Sequence, residues 1–313
     1  MRFMRNKTRL AGGIAACGLL LLAGAASAAP QANPRLLSWA PPKLENPETI
    51  QLKDRSSHGL KLKTDRDYVI KLPADRPFVG ELNVYGGRNV VIIGGEIRIP
   101  GGDEDPEYAE GKKKSKRAVY LHGQKGTIHV EGIHITGKGL HEGFNLDERD
   151  PNCVVQLQNI RVERLQGSYS KNHADVIQTW AGPKVLRIDG LTGISDYQGF
   201  FLLPNQHFKV KDGAFKPDGW DFRNINLLGD PEKSAYMLWA PGGDTAISVA
   251  VDNVWARPAT VKKGDRDAYL WPKRGEKGSE TWDKVKEGVP PGGDFVPEGL
   301  PGINYKSPGY RAK

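Results

Sequence analysis

Val119-Tyr120-Leu121-His122-Gly123-Gln124-Lys125-Gly126-Thr127-Ile128-His129-Val130-Glu131-Gly132 and Ile177-Gln178-Thr179-Trp180-Ala181-Gly182-Pro183-Lys184-Val185-Leu186-Arg187-Ile188-Asp189-Gly190 can be laid over one another without a gap. A third copy starts at Tyr236-Met237-Leu238-Trp239-Ala240-Pro241-Gly242-Gly243-Asp244 and continues in Ile247-Ser248-Val249. Weaker copies run from Val84 to Gly95 and from Val155 to Val162. Each is a short alternating strand, a Gly/Pro turn and a second alternating strand. One such unit cannot bury its apolar face, whereas stacked units pair strand on strand around a continuous core. The repeat therefore predicts a right-handed parallel β-helix, with Val119, Leu121, Ile128, Val130, Ile177, Leu186, Ile188, Tyr236 and Leu238 facing inward. Gly94, Gly132 and Gly190 suit the tight corners, where a side chain would obstruct the bend. A β-sandwich shares the turn rhythm but not the register between copies, and a propeller blade needs four strands.

Composition agrees with an all-β chain. Gly (38) and Pro (22) break up the 313 residues too often for long helices. Residues 1–28 read as a signal peptide: a basic start, the apolar stretch Leu10–Leu22, then Ala26-Ser27-Ala28 before the cleavage point. Cys17 raises a lipoprotein signal as a rival, but apolar sequence continues beyond it. The apolar run is short of the ~20 residues a membrane span needs, so no stable membrane anchor is expected and the mature chain is placed outside the cell or in a periplasm. The segment holds Arg2, Arg5, Lys7, Arg9 and no acidic residue, so half of the +8 formal charge leaves with it. The densest basic run, Lys112 to Arg117, follows five acidic residues and reads as self-neutralising, which disfavours nucleic acid. Mature chain keeps only Cys153, so no internal disulfide is expected. The Pro-rich stretch 29–67 is read as an N-terminal cap and 68–258 as the solenoid. Residues 259–313 are read as an irregular tail packed back on it, with one short helix from Ser279.

Over 68–258 the chain resembles the pectate-lyase-like superfamily of secreted β-helices. The carriers are the coil rhythm and His173-Ala174-Asp175-Val176-Ile177-Gln178. The resemblance implies a carbohydrate-active protein, mostly on uronic-acid polysaccharides.

Reactive side chains gather between Tyr169 and His207. If Ile177 and Thr179 face inward, Gln178 and Trp180 face out, and His122 and Trp239 take the place of Trp180 in their own coils. A uronate β-elimination needs its carboxylate neutralised, a base at C5 and an acid at the departing O4. Lys171 or Gln178 suits the first task, His173 or Lys171 the second and Tyr197 the third, with Asp175 orienting His173. Gln178, Trp180, His122, Gln198, His207 and Trp239 are the expected contacts to an acidic polysaccharide. Hydrolysis by Asp175 and Asp196 is one alternative, and a non-catalytic glycan-binding or envelope protein is another. The Asp175 segment departs from the polygalacturonase pattern, with His173 and Val176 where Asn and Gly belong. No cofactor is required, no His/Cys spacing suits zinc, no ligand loop supports calcium, and a monomer is expected.

Overall fold

The computed structural model describes residues 35–53, 59–112, 116–207, 215–230, 236–257 and 269–312. Expectations for the signal peptide and for 113–115 of the Lys-rich run lie outside them. Leu36–Lys313 holds together as one unit.

Two sheets, parallel throughout, alternate along the chain. One contains β1 (Glu48–Gln51), β3 (Tyr68–Lys71), β6 (Val90–Arg98), β8 (Thr127–Thr136) and β10 (Val154–Leu165). It continues through β12 (Val185–Ser195), β14 (Trp220–Gly229), β16 (Val249–Arg257) and β18 (Lys286–Glu287), with β4 (Phe78–Val79) beside β6. The other contains β2 (Leu60–Leu62), β5 (Leu82–Gly86), β7 (Arg117–His122) and β9 (Glu142–Asp147). Its remaining strands are β11 (Asp175–Ala181), β13 (Gln198–Leu202), β15 (Leu238–Trp239) and β17 (Leu270–Trp271). Each coil contributes one strand to each sheet, and each strand pairs with its counterpart one coil away. That is a parallel β-helix. Its ladder runs from Glu48 to Glu287 and so takes in strands on both sides of the 68–258 expected.

Long strands of the first sheet bend midway, and the bend is built from one column of residues. Gly94, Gly132, Asn159, Gly190, Asn224 and Asn253 lie in register with φ of 70, 68, 51, 79, 50 and 57°. Only Gly, and Asn at small cost, sit readily in this left-handed region. The asparagines also bond along the column: Asn253 donates to Asn224 at 3.0 Å, and Asn224 donates to Asp189 at 2.8 Å.

Rows of apolar side chains fill the interior. Val119, Phe144, Ile177, Phe200, Leu238 and Leu270 stack in register from one sheet, all at most 1 % exposed. Eight of the nine expected inward residues are buried. Tyr236 is the exception, because the third copy is laid two residues out of register: Leu238, not Tyr236, pairs with Phe200. A slip of two keeps each side chain on its face but moves it along the strand.

The C-terminal segment lies along the outer face of the first sheet. Gly302 N donates to Gly132 O at 2.9 Å, and Tyr305 and Tyr310 hydroxyls both donate to Glu131 at 2.7 Å. Arg161 meets Asp294 at 2.8 Å, and Val296 N donates to Thr192 at 3.0 Å. Residues 37–39 join it, with Arg311 N on Leu37 O and Trp39 bonded in both directions to the Gln158 side chain. The short helix expected from Ser279 is a single 3-10 turn, Ser279–Trp282, capped by Gly278. Among the described residues no helix is long and apolar enough to cross a membrane.

Candidate functional site

The outer face of the second sheet, from β7 to β13, carries the reactive groups. On β11 both Val176 and Ile177 pack into the core, so the residues flanking them, Asp175 and Gln178, share the outward face. The same local kink aligns Arg117, Glu142, Asp175 and Gln198 as one row on the side away from the core, with Arg117 and Glu142 part-buried and Asp175 and Gln198 covered over. Tyr120, Asn145 and Gln178 form the next row, and Asn145 donates to Gln178 at 3.1 Å.

Asp147 at the end of β9 is the centre of the densest cluster. Its Oδ2 accepts from the Tyr120 hydroxyl at 3.2 Å and from His207 Nδ1 at 3.2 Å. His122 Nδ1 lies 3.4 Å from the same oxygen, and Arg149 Nε donates to Oδ1 at 3.0 Å. Burial opposes ionisation of Asp147, but Arg149 and His207 outweigh it and hold the carboxyl below the usual carboxylate range. Tyr120 is pushed the other way, first by burial and then by the Asp147 charge, so its phenol stays protonated. Trp180 leans on Tyr120 and on His207, with ring centroids 5.6 and 5.0 Å away. The Arg117 guanidinium sits 4.8 Å over the Tyr120 ring and 4.9 Å over the Trp180 ring. A cationic head, a phenol, two imidazoles and an indole thus converge on one half-open surface.

Apart from Asp175 and Gln198, the residues expected from sequence fall in four places. His122, His207, Trp180 and Gln178 belong to this surface. His173 and Tyr197 meet each other at 5.3 Å, with Tyr169 stacked on the outer side of His173 at 5.9 Å. Lys171 points into solvent, 4.0 Å from Glu110, and borders a cleft of about 700 Å³ with Lys116, His141, Asn172 and Asp196. There, burial and the Lys116 charge drive the His141 imidazole down to about 4. Trp239 stands apart, on Phe201 at 4.8 Å.

Three expectations are corrected. Asp175 does not orient His173: it is fully buried, and among the described residues neither carboxylate oxygen has a hydrogen-bond partner. Burial, with the neighbouring Glu142 charge adding to it, raises its pKa well above the usual carboxylate range. Its full burial also keeps it off the surface where a hydrolytic partner of Asp196 would meet substrate. Trp239 occupies the place of Gln178, not of Trp180, because of the two-residue slip. Trp180 itself sits in an irregularity between Thr179 and Ala181, where Ala181 and His122 both pair with Asp147. Gln198 is buried and its Oε1 lacks a partner among the described residues, so it lies beneath the surface instead of lining it.

Sequence reasoning missed Asp147, Tyr120, Arg149 and Glu142. Three of them lie on or next to β9, whose Glu142-Gly143-Phe144-Asn145-Leu146-Asp147 is followed by a longer, charged turn through Asp150-Pro151-Asn152 than the Gly-containing turns of the two gap-free copies. The signal was present in the spacing, since Val119 and Ile177 stand two coils apart with Phe144 between them.

Among the described residues no group of three or more His, Cys, Asp or Glu side chains is placed to hold a metal ion. The chain matches no protein-family model, no curated protein and no solved structure.

Proposed function

We propose that the mature chain is an exported polysaccharide lyase that cleaves a uronic-acid glycan by β-elimination on the outer face of the second sheet. The observation that carries this reading is the single Asp147 carboxylate bonded to both Tyr120 and His207, with the Arg117 guanidinium over the Tyr120 ring. Each requirement of the reaction then has a group. Arg117, with Asn145 and Gln178 beside it, faces the substrate carboxylate and makes the C5 proton acidic. His207 donates its Nδ1 proton to Asp147, which leaves Nε2 as the acceptor for that proton. Tyr120, kept protonated, donates to O4 as the C4–O4 bond breaks and the C4–C5 double bond forms. The ionised Asp147 stabilises the imidazolium once it forms. In this reading the base is His207 in place of His173 or Lys171, and the acid Tyr120 in place of Tyr197.

The test is ultraviolet absorbance of the unsaturated uronyl end while purified mature protein meets pectate, alginate, glucuronan and glycosaminoglycans. His207→Ala, Tyr120→Phe and His173→Ala variants are run beside the parent. Product formation lost in the first two and kept in the third supports the assignment. Loss in His173→Ala alone would return the chemistry to the His173–Tyr197 pair, and new reducing ends without unsaturation would replace elimination by hydrolysis.

A further inference from the structure

The outward positions of the second sheet change character along the helix axis. Coil by coil they read Tyr120, Asn145, Gln178, Phe201, Trp239 and Trp271. The first three stand among charged partners. The last three form an aromatic row, with Phe201 and Trp239 centroids 4.8 Å apart and Tyr236 set edge-on to Trp271 at 6.2 Å. Adjacent strands are ~4.8 Å apart, so the row extends about 10 Å along the axis from Phe201 to Trp271. Strands β13, β15 and β17 contain no charged residue.

These rings are not needed to close the core. Phe200, Leu238 and Leu270, their inward neighbours, are already fully buried, whereas Phe201, Trp239 and Trp271 are only part-buried. A pyranose ring offers an apolar C–H face that stacks on an indole, with its hydroxyls left in water. A uronate laid on the same row would lose hydration from its carboxylate, and among the described residues no cation stands in register with these rings.

We infer that Phe201, Trp239 and Trp271 form a platform for uncharged sugar rings of the glycan whose uronate lies over Arg117, so the substrate is a mixed polysaccharide of uronate and neutral sugars. The inference rests on the proposed reading of the Arg117–Asp147 surface for the position of the uronate, and on the aromatic row alone for the neutral sugar.

Isothermal titration with three hexasaccharides tests it: an all-glucuronate hexamer, an alternating glucuronate–N-acetylglucosamine hexamer, and uncharged cellohexaose. The parent binds the alternating hexamer about tenfold more tightly than the all-glucuronate one. Trp239→Gln and Trp271→Gln each weaken the alternating hexamer and cellohexaose about tenfold and leave the all-glucuronate hexamer unchanged. Trp239→Phe retains most of the affinity, which separates loss of a stacking ring from loss of fold. Equal parent affinity for the two charged hexamers, or Trp→Gln variants that bind all three probes as the parent does, would overturn the platform. Platform-dependent binding without any unsaturated product would sink the elimination chemistry and leave the platform standing. Elimination on glucuronan with no effect of either Trp variant on binding would do the reverse.

Discussion

Alanine in place of Gly132 should destabilise the protein far more than alanine in place of Gly94, although the two backbones are alike. Their φ values are 68 and 70°, in the same bend column. An L-residue in this region costs about 1–2 kcal/mol, and the stiffer unfolded chain returns roughly 0.4–1 kcal/mol. Gly94→Ala therefore costs about 1 kcal/mol, since the nearest atom to the new methyl, Tyr305 Cβ, is at an ordinary 3.5 Å. At Gly132 the methyl would fall within the Tyr305 ring. The ring must leave, and with it go the 2.7 Å bond to Glu131 and the 3.0 Å bond from Asn159. A hydrogen bond to a charged group is worth roughly 1.5–3 kcal/mol and a neutral one about 1, so Gly132→Ala should cost about 3 kcal/mol more. Urea denaturation followed by tryptophan fluorescence measures the difference. Trypsin cleavage after Lys306 reports separately whether the tail has lifted. Equal losses for the two variants, with Lys306 equally protected, would refute the claim that Tyr305 pins the tail at this column.

Other expectations are as direct. His134 lies 3.1 Å from Glu163 and 3.7 Å from Glu96; burial works against its imidazolium, but the two carboxylates outweigh it and push the pKa up to about 9. A raised value means stabilisation that is complete below about pH 6.5 and lost as pH rises through about 9, on the order of 3 kcal/mol. The stability gap between parent and His134→Gln should close by that amount on going from about pH 6 to about pH 10, and a gap independent of pH would contradict it. Asp147→Asn should lower elimination turnover about a hundredfold or more with little change in KM, and a KM effect alone would make Asp147 a binding residue. Burial raises the Cys153 thiol well above its ordinary value, so a disulfide reagent should label it only as the protein unfolds; rapid labelling in native buffer would disprove that.

The solenoid was legible because its cause is periodic. Inward positions repeat every second residue and recur once per coil, and Gly94, Gly132 and Gly190 mark half of the bend column directly. The other half was hidden because Asn159, Asn224 and Asn253 reach the same conformation with a residue common in any loop. The site was harder to read, for two reasons. Asp147 belongs to a coil whose turn, through Asp150-Pro151-Asn152, is longer than those of the two gap-free copies, so no gap-free alignment pointed to it. His207 follows the end of β13, and only the stacking of coils brings it beside a carboxylate 60 positions earlier. His173 and Asp175, adjacent in sequence and suggestive as a pair, were separated by the kink that buries Asp175 beneath the surface and leaves His173 exposed. Proximity along the chain was the wrong guide there.

A stack of coils touching only their neighbours behaves as a one-dimensional system, in which one end can melt while the other stays folded. The strap formed by the two terminal segments changes that. Its C-terminal part is bonded to Gly95, Gly132, Glu131, Asn159, Arg161, Thr192 and Asn226, residues on five successive coils. The segment at Ser38 and Trp39 ties on to Gln158 and Asp189 from the other terminus. Interactions of that range couple coils that are not neighbours, so fraying at one of them strains a contact several coils away. The middle of the solenoid, where the candidate site lies, is thereby held as a single cooperative block against the stepwise unzipping to which repeat proteins are prone.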